Sequence, residues 1–395
     1  MPALDKSHSP LFSAPKSSQG YGLGLVGSGA FGEFCLAAYA EMEDISIIAV
    51  ADIDFQRAQK LAPEGAKVYN DFREMLSDPD VEIVAINTPP YLHGKMVRMA
   101  AEAGKHIYVE KPFALSLDEA YKAAEAVHSA NVQIGINYIL RHHPIHKITA
   151  EIVHNQALGK FQHWSLENFA SDDSLIPDHW FWDLSISGGI LVEHGVHFFD
   201  LCNHFAGKTP TEVSGNSQKR QDGRTDRTSA TVKYGDEILA TFFHSFNQIG
   251  FIEQTTIRVD CTHGHIVIEG WIPTRLYLHG LVDEDGLIIL ESLFKDNLKI
   301  HNKFQDTTAI FQHGGVSEQF VAEVSARIEI PNRQEEYQRA IQTGMKGLMA
   351  AINRDHSLNV SMDDAILSLA VALAARDGGS EKEFSPPNWQ KKIRQ

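Results

Sequence analysis

From Tyr21 to about Asn137, short apolar runs alternate with longer stretches in which apolar positions recur every three to four residues. The short runs are nearly continuous in their apolar character, which predicts strands buried on both faces and joined by helices, as in a parallel sheet. The expected strands are Tyr21 to Val26, Ser46 to Ala51, Val81 to Asn87, His106 to Glu110 and Val132 to Ile136. Ser116, followed three residues later by Glu119, predicts a capping box that opens a helix running to about Ala130. After Arg141 the pattern changes. A helix from Pro144 to about Gln156 leads into segments of alternating apolar and polar residues: Phe161 to Asn168, Ser229 to Tyr234, Ile238 to Phe246 and Thr255 to Asp260. Alternation of this kind suits strands with one wet face. Helical spacing returns at Gly188 to Phe205, Glu335 to Asn353 and Met362 to Ala375. The chain therefore reads as α/β, with a tail over residues 1–20, a nucleotide-type domain with a parallel sheet over 21–140, and an α+β domain with a large, mainly antiparallel sheet over 141–395.

Composition narrows the classes. The 395 residues are 43% hydrophobic and 22% charged, which excludes collagenous and wholly disordered chains. Lys and Arg number 35 against 51 Asp and Glu, so a net charge of -16 repels nucleic acid and anionic membranes. Cys35, Cys202 and Cys261 are far apart, and support neither a disulfide framework nor a zinc-thiolate site. The apolar stretch Ile366 to Ala375 is too short to span a bilayer, and Met1 to Gly20 lacks the apolar run of a secretory signal. A cytoplasmic location is the expectation.

The first strand runs into Gly27-Ser28-Gly29-Ala30-Phe31-Gly32, a G-x-G-x-x-G that opens a helix. The first glycine permits a tight turn, the second lets backbone approach a pyrophosphate, and the third lets the helix pack closely. The helix N-terminus supplies free N–H groups to the anion. The second strand ends at Asp52, twenty residues beyond Gly32, where a carboxylate accepts from a ribose diol and repels a 2′-phosphate. NAD is thus expected in preference to NADP. Asp54 is an alternative for that role, and Arg57 is available to a phosphate but also suits a solvated helix face.

Further motifs follow in order. Asn87-Thr88-Pro89-Pro90-Tyr91-Leu92-His93 closes the third expected strand, Glu110-Lys111-Pro112 closes the fourth, and Asn137-Tyr138 precedes Arg141 and Pro144 at the junction. Gly188-Gly189-Ile190-Leu191-Val192-Glu193-His194-Gly195-Val196-His197 then leads to Asp200. With the glycine loop, this series resembles the Gfo/Idh/MocA family of NAD(P)-dependent sugar and polyol oxidoreductases, over nearly all of the chain after the tail. The resemblance implies a Rossmann domain joined to a sheet-containing domain, a nicotinamide cofactor in the cleft between them, and homodimers or homotetramers. It implies that Lys111 contacts the reacting hydroxyl, with Glu193 and His197 supplied by one helix, Glu193 standing where the family has Asp. It also places Asn87, Thr88, Pro89, His93 and Glu110 with Lys111 at the cofactor, and Tyr138 and Arg141 at the substrate.

Chemistry gives the same trio a task. Oxidising an alcohol requires hydride departure to the cofactor and removal of the hydroxyl proton, which suits a base with a pKa near neutrality. His197 is the candidate base, and Lys111 the donor to the substrate oxygen. Glu193 and His197, spaced i and i+4, share a face of the expected helix, so the carboxylate can orient the imidazole or grip a neighbouring hydroxyl. His194 joins them as a substrate contact. The order Glu193-His194-x-x-His197 is not H-E-x-x-H, and no metal is expected. Asp178 to Asp183 concentrates His179, Trp180 and Trp182, which suit a carbohydrate-binding wall and equally a packed core or a subunit contact. The function expected is an NAD-dependent dehydrogenase acting on a secondary hydroxyl of a sugar, sugar derivative or cyclitol. Two alternatives are an NAD-dependent glycoside hydrolase working by transient oxidation, and an NAD-sensing regulator without turnover.

Overall fold

The computed structural model describes residues 20–304, 310–313 and 315–385, so the expected tail, apart from Gly20, lies outside the described residues. The first sheet uses β1 (Tyr21–Val26), β2 (Ile45–Ala51), β3 (Lys67–Tyr69), β4 (Ile83–Ile86), β5 (His106–Val109) and β6 (Ile134–Ile136). They lie in the order β3-β2-β1-β4-β5-β6, and every pairing is parallel. Between them run α1 (Ala30–Ala40), α2 (Phe55–Leu61), α3 (Phe72–Leu76), α4 (His93–Glu102) and α5 (Leu117–Ala130). The strand order reverses between β1 and β4, and the loops after these strands and after β5 open on the crevice where such sheets bind ligands. As expected, the Ser116 hydroxyl caps α5, accepting from the Glu119 N–H at 3.2 Å.

The second half begins with α6 (Pro144–His154) and β7 (Phe161–Ser171), then α7 (Leu184–Ser187) and α8 (Val196–Ala206). Strands β8 (Glu212–Lys219), β9 (Thr225–Tyr234), β10 (Ile238–Gln248), β11 (Gln254–Cys261), β12 (Gly264–Glu269) and β13 (Arg275–Val282) follow. Then come α9 (Glu284–Phe294), β14 (Leu298–Lys303), the hairpin of β15 (Ile310–His313) and β16 (Val316–Gln319), β17 (Ala322–Glu329), α10 (Arg333–Ile352), α11 (Met362–Arg376) and β18 (Gly379–Glu383). Ten of the strands form one sheet in the order β14-β17-β13-β12-β11-β7-β10-β9-β8-β18. Only the central pair β7 and β10 runs parallel. Both expected architectures are present.

Two differences from the sequence reading matter. The continuous helix expected over Gly188 to Phe205 is interrupted. Gly188 and Gly189 have φ of +79° and +86°, a left-handed conformation that ends α7, and Leu191–Gly195 forms a π-helical turn before α8. The division at residue 140 is also crossed, because α10 packs back on the first domain. Tyr337 of α10 stacks on Phe34 of α1 with ring centroids 4.8 Å apart, and Gln342 donates to the Ala38 carbonyl at 2.9 Å.

A buried ion pair ties the junction to α8. Arg141 donates through Nε and Nη2 to both oxygens of Asp200, at 2.7 and 2.8 Å. Asp364, near the start of α11, lies 3.5 Å from the same guanidinium. Removing one partner of a buried pair costs about 3–5 kcal/mol where the other charge is left without compensation, and here Asp364 still faces the guanidinium. Asp200→Ala is therefore expected to lower unfolding free energy by about 2–4 kcal/mol in urea denaturation. A loss below about 1 kcal/mol would show that the clasp contributes no more than a surface pair does.

Candidate active site

The glycine loop fits a dinucleotide. Gly27 has φ of +94°, and a Cβ there would lie 2.5 Å from the Asn87 carbonyl oxygen; a Cβ on Gly32 would lie 1.9 Å from that of Gly27. Side chains at these positions would push apart strand end, loop and helix. Gly29 has nothing within 4 Å of its missing Cβ, and it starts α1 with no side-chain cap. The N–H groups at the helix start, through Ala30 and Phe31, are thus left for an anion that approaches the open side.

Asp52 closes the loop from beneath. Its Oδ2 accepts from Ser28 N and Oγ at 2.7 and 2.8 Å, while Oδ1 accepts from Asp54 N at 2.9 Å and Arg57 Nη2 at 3.2 Å. Burial would raise this carboxyl, but the N–H groups of Asp54 and Ser28, with Arg57, hold it below its ordinary value. Arg57 thus reaches the acid from the solvated face of α2, as expected, with its side chain about half exposed. Asp54 is committed to capping α2, accepting from Arg57 N at 3.1 Å.

At the end of β5, Lys111 reaches across to the π-helical turn. Its Nζ donates to Glu193 Oε1 at 2.5 Å and to the Glu193 carbonyl at 2.7 Å. An ammonium has three donors, so one N–H is left. The expected partnership of Glu193 with His197 is replaced, because the π-helical turn shifts the i, i+4 register and the carboxylate goes to Lys111. His197 is buried close by, with its Nδ1 lacking a protein partner among the described residues. Tyr138 meets its ring edge to face at 6.0 Å, and Trp271 does so at 4.7 Å. Burial first, then the Lys111 ammonium and the neighbouring His194 ring, push His197 well below the ordinary histidine value. Its surroundings thus favour the neutral imidazole, the form that can accept a proton.

Beneath Lys111, Glu110 is buried and accepts from the Asn137 amide, whose Oδ1 in turn accepts from Tyr108 at 3.0 Å. Burial pushes the Glu110 carboxyl up to about 7, against the Asn137 amide and Lys111. Its carboxyl is turned to Asn137 beneath the loop, which supports the backbone that carries Lys111. His93 is likewise a brace: its Nδ1 lies 2.7 Å from the Pro112 carbonyl and its Nε2 2.8 Å from that of Thr88, and the neutral ring favoured by burial donates to one of them while packing between the loops after β4 and β5. Both ring nitrogens face protein acceptors, so the expected cofactor contact has no ring nitrogen to make it. Thr88 and Pro89 remain on the loop facing the crevice, and the Lys111–Pro112 bond is cis.

The remaining expected substrate residues divide. Arg141 is committed to Asp200 and is corrected to a positioning group for α8. Trp182 donates from Nε1 to the Leu175 carbonyl at 3.1 Å, with Arg220 and Arg224 over its ring at 5.0 and 5.3 Å, so its ring is covered rather than open to a sugar. His179 accepts from Phe181 N at 3.2 Å and feels the Glu193 charge, which brings the aromatic loop, with Trp180 at 5.3 Å from His179, to the rim of the site. His194 packs on Trp271 at 4.7 Å and on His244 at 5.5 Å. Trp271 and His244 were not legible as site residues in the sequence, for they reach it from segments distant in the chain. Among the described residues, no group of three or more His, Cys, Asp or Glu is arranged to hold a metal ion, and no helix is long and apolar enough to cross a membrane.

A parallel sheet with a phosphate-ready glycine loop, joined to a sheet domain that meets Lys111 across the crevice, defines a dinucleotide-binding oxidoreductase fold. Residues 21–138 match the oxidoreductase family with an NAD-binding Rossmann fold, and residues 146–267 match the C-terminal domain of the same family. The chain belongs to the Gfo/Idh/MocA oxidoreductase family. It is 32% identical to the oxidoreductase YrbE of Bacillus subtilis over 261 residues, covering 64% of this chain and 75% of that one. It is 30% identical to scyllo-inositol 2-dehydrogenase (NAD(+)) of the same organism, over 51% of this chain and 56% of the relative, so it spans little more than half of that protein. Levoglucosan dehydrogenase, solved in complex with NADH and levoglucosan, shares the fold with a TM-score of 0.72 at 19% identity, over 94% of this chain and all of that one.

The Glu110 geometry has a measurable consequence. Its folded value near 7 lies above the 4.5 of a free glutamate, so the folded state holds a proton that the unfolded chain releases. That contribution is complete below about pH 4.5 and is lost as pH rises through about 7. Glu110→Gln is expected to be flatter in melting temperature between pH 5 and pH 7.5 than the parent, by differential scanning fluorimetry. Parallel slopes would show that Glu110 does not titrate in that window.

Proposed function

We propose that this protein is an NAD-dependent dehydrogenase that takes hydride from a secondary hydroxyl of a sugar, sugar derivative or cyclitol. The observation that carries the reading is the convergence of Lys111 and His197. Glu193 holds two of the three Lys111 donors, and the same ammonium is close enough to depress the buried His197 imidazole. The third donor is directed to the substrate oxygen, where it stabilises alkoxide character, and His197 accepts the hydroxyl proton. Arg141 and Asp200 hold the helix that presents the imidazole, one turn beyond it. When bound, the cofactor supplies the hydride acceptor. The glycine loop and the start of α1 would hold its pyrophosphate, and the Asp52 carboxylate favours NAD by repelling a 2′-phosphate, while Arg57 is the group that opposes that preference. The relatives that act on scyllo-inositol and levoglucosan support a polyhydroxylated, uncharged substrate.

Lys111→Ala and His197→Ala are each expected to lower kcat about 10²–10⁴-fold in an NADH-formation assay, with NAD binding largely intact by fluorescence titration. Undiminished turnover in both rejects the site. Asp52→Ala is expected to weaken NAD and narrow its advantage over NADP. Equal use of both coenzymes by the parent enzyme would contradict the premise.

A further inference from the structure

On the inner face of the large sheet, against which α8 packs, one cross-strand row is entirely hydrocarbon. Ala230 of β9 pairs with Phe242 of β10, Phe242 with Leu166 of β7, and Leu166 with Ile257 of β11, all buried. Two residues along, the same register aligns Thr228, His244, Asn168 and Thr255, only 5%, 0%, 2% and 4% exposed. Four neighbouring strands thus contribute a polar side chain to a single row of the core. Thr255 donates to Asn168 Oδ1 at 2.8 Å, which satisfies one end. Thr228 Oγ1, both ring nitrogens of His244 and Asn168 Nδ2 have no protein partner among the described residues, and nor does Nε2 of His194 in the turn above.

This row is joined to the site. The His194 ring meets His244 edge to face at 5.5 Å and lies 6.3 Å from the His197 ring. Gly195 in the π-helical turn lies directly over His244, since a Cβ there would be 3.4 Å from His244 Nε2. Buried hydrogen-bonding groups left unmet are costly, and folded proteins match them with water or ligand. The unmet set here carries no charge. Burial, with Lys111, pushes His194 down to about 3, and burial pushes His244 well below its ordinary value, so each imidazole offers one donor and one acceptor. Such a set complements hydroxyl groups and holds no cation that would compensate a carboxylate or phosphate.

We propose that Thr228, His244 and Asn168, with His194, form a hydroxyl-binding subsite that takes the hydroxyls of an uncharged polyol remote from the reacting carbon and selects it over sugar acids. This rests on the reading of the preceding subsection and adds the residues that set its specificity. The hydroxyl chemistry has two sources, a substrate hydroxyl or a resident water, and the test separates them.

The full-length enzyme is assayed with NAD and three probes, myo-inositol, levoglucosan and glucuronate, and crystallised with each. His244→Phe and Thr228→Val are each expected to raise KM for the better uncharged probe about tenfold or more, with kcat changed less than about threefold and NAD binding unchanged. Thr228→Val, nearly isosteric, keeps the comparison available if His244→Phe does not fold. In the crystal, a hydroxyl of the bound polyol is expected within hydrogen-bonding distance of His244. Unchanged KM in a folded variant, water alone at His244 beside a bound polyol, or equal turnover of glucuronate overturns the subsite while leaving the hydride chemistry intact. A probe that binds without turnover removes the dehydrogenase reading, and its density alone then decides the subsite. Neither binding nor NADH formation with any probe removes both.

Discussion

The contact between Lys111 and Glu193 is the constraint on which the site depends. Lys111 follows β5 of the parallel sheet and Glu193 sits in the π-helical turn beside the antiparallel one, so this ion pair joins the two halves across the crevice. At such a position the charges interact more strongly than they would in open water, yet the ammonium is still only partly used. The backbone carbonyl of Glu193 takes one donor and its carboxylate another. What is left is a single directed N–H in a crevice whose other groups are neutral imidazoles and aromatic rings.

Support beneath that contact comes from groups that never reach the crevice. Glu110 and Asn137 lie under Lys111, His93 spans the two loops beside it, and Arg141 holds α8 through Asp200. Each is buried, and each uses a hydrogen bond or ion pair to fix a loop or helix end that carries a residue of the candidate site. A site built this way keeps its geometry through the support beneath it as well as through its own contacts, as preorganised sites require.

Most of the fold was legible because its signals are local. Continuous apolar runs marked β1, β2, β4 and β5, the glycine spacing marked the loop into α1, and alternation marked β7, β9, β10 and β11. Lys67–Tyr69 escaped as a strand because three residues, one of them charged, carry no period. The π-helical turn escaped because its apolar spacing is that of an α-helix, and only the left-handed Gly188 and Gly189 hinted at a break. Lys111, Glu193, His194 and His197 were legible as a set, but their pairing was not: the helix expected there puts Glu193 with His197, whereas the altered turn sends it to Lys111. Arg141 and His93 were read as ligand contacts since they sit in motifs at the crevice, and the sequence contains no sign that Asp200 and two carbonyls would claim them. His244 depends on register between strands far apart in the chain, and Trp271 on where the turn between β12 and β13 comes to rest, which no local pattern encodes.

The return of α10 to the first domain bears on how the protein is made. Tyr337 and Gln342 complete a surface of α1 that the nucleotide-binding half would otherwise leave bare, and α10 also packs beside β6 through Gly135 and Leu348. As the chain emerges from the ribosome, the parallel sheet is synthesised early, yet its outer layer is delivered only after every strand of the large sheet except β18 has been translated. The first half must therefore wait, with an apolar flank uncovered, for a helix encoded nearly two hundred residues downstream of β6. Assembly of the cofactor platform and closure of the substrate domain become a single late event, and a chain truncated ahead of that helix would lack a wall of the very domain it appears to contain in full.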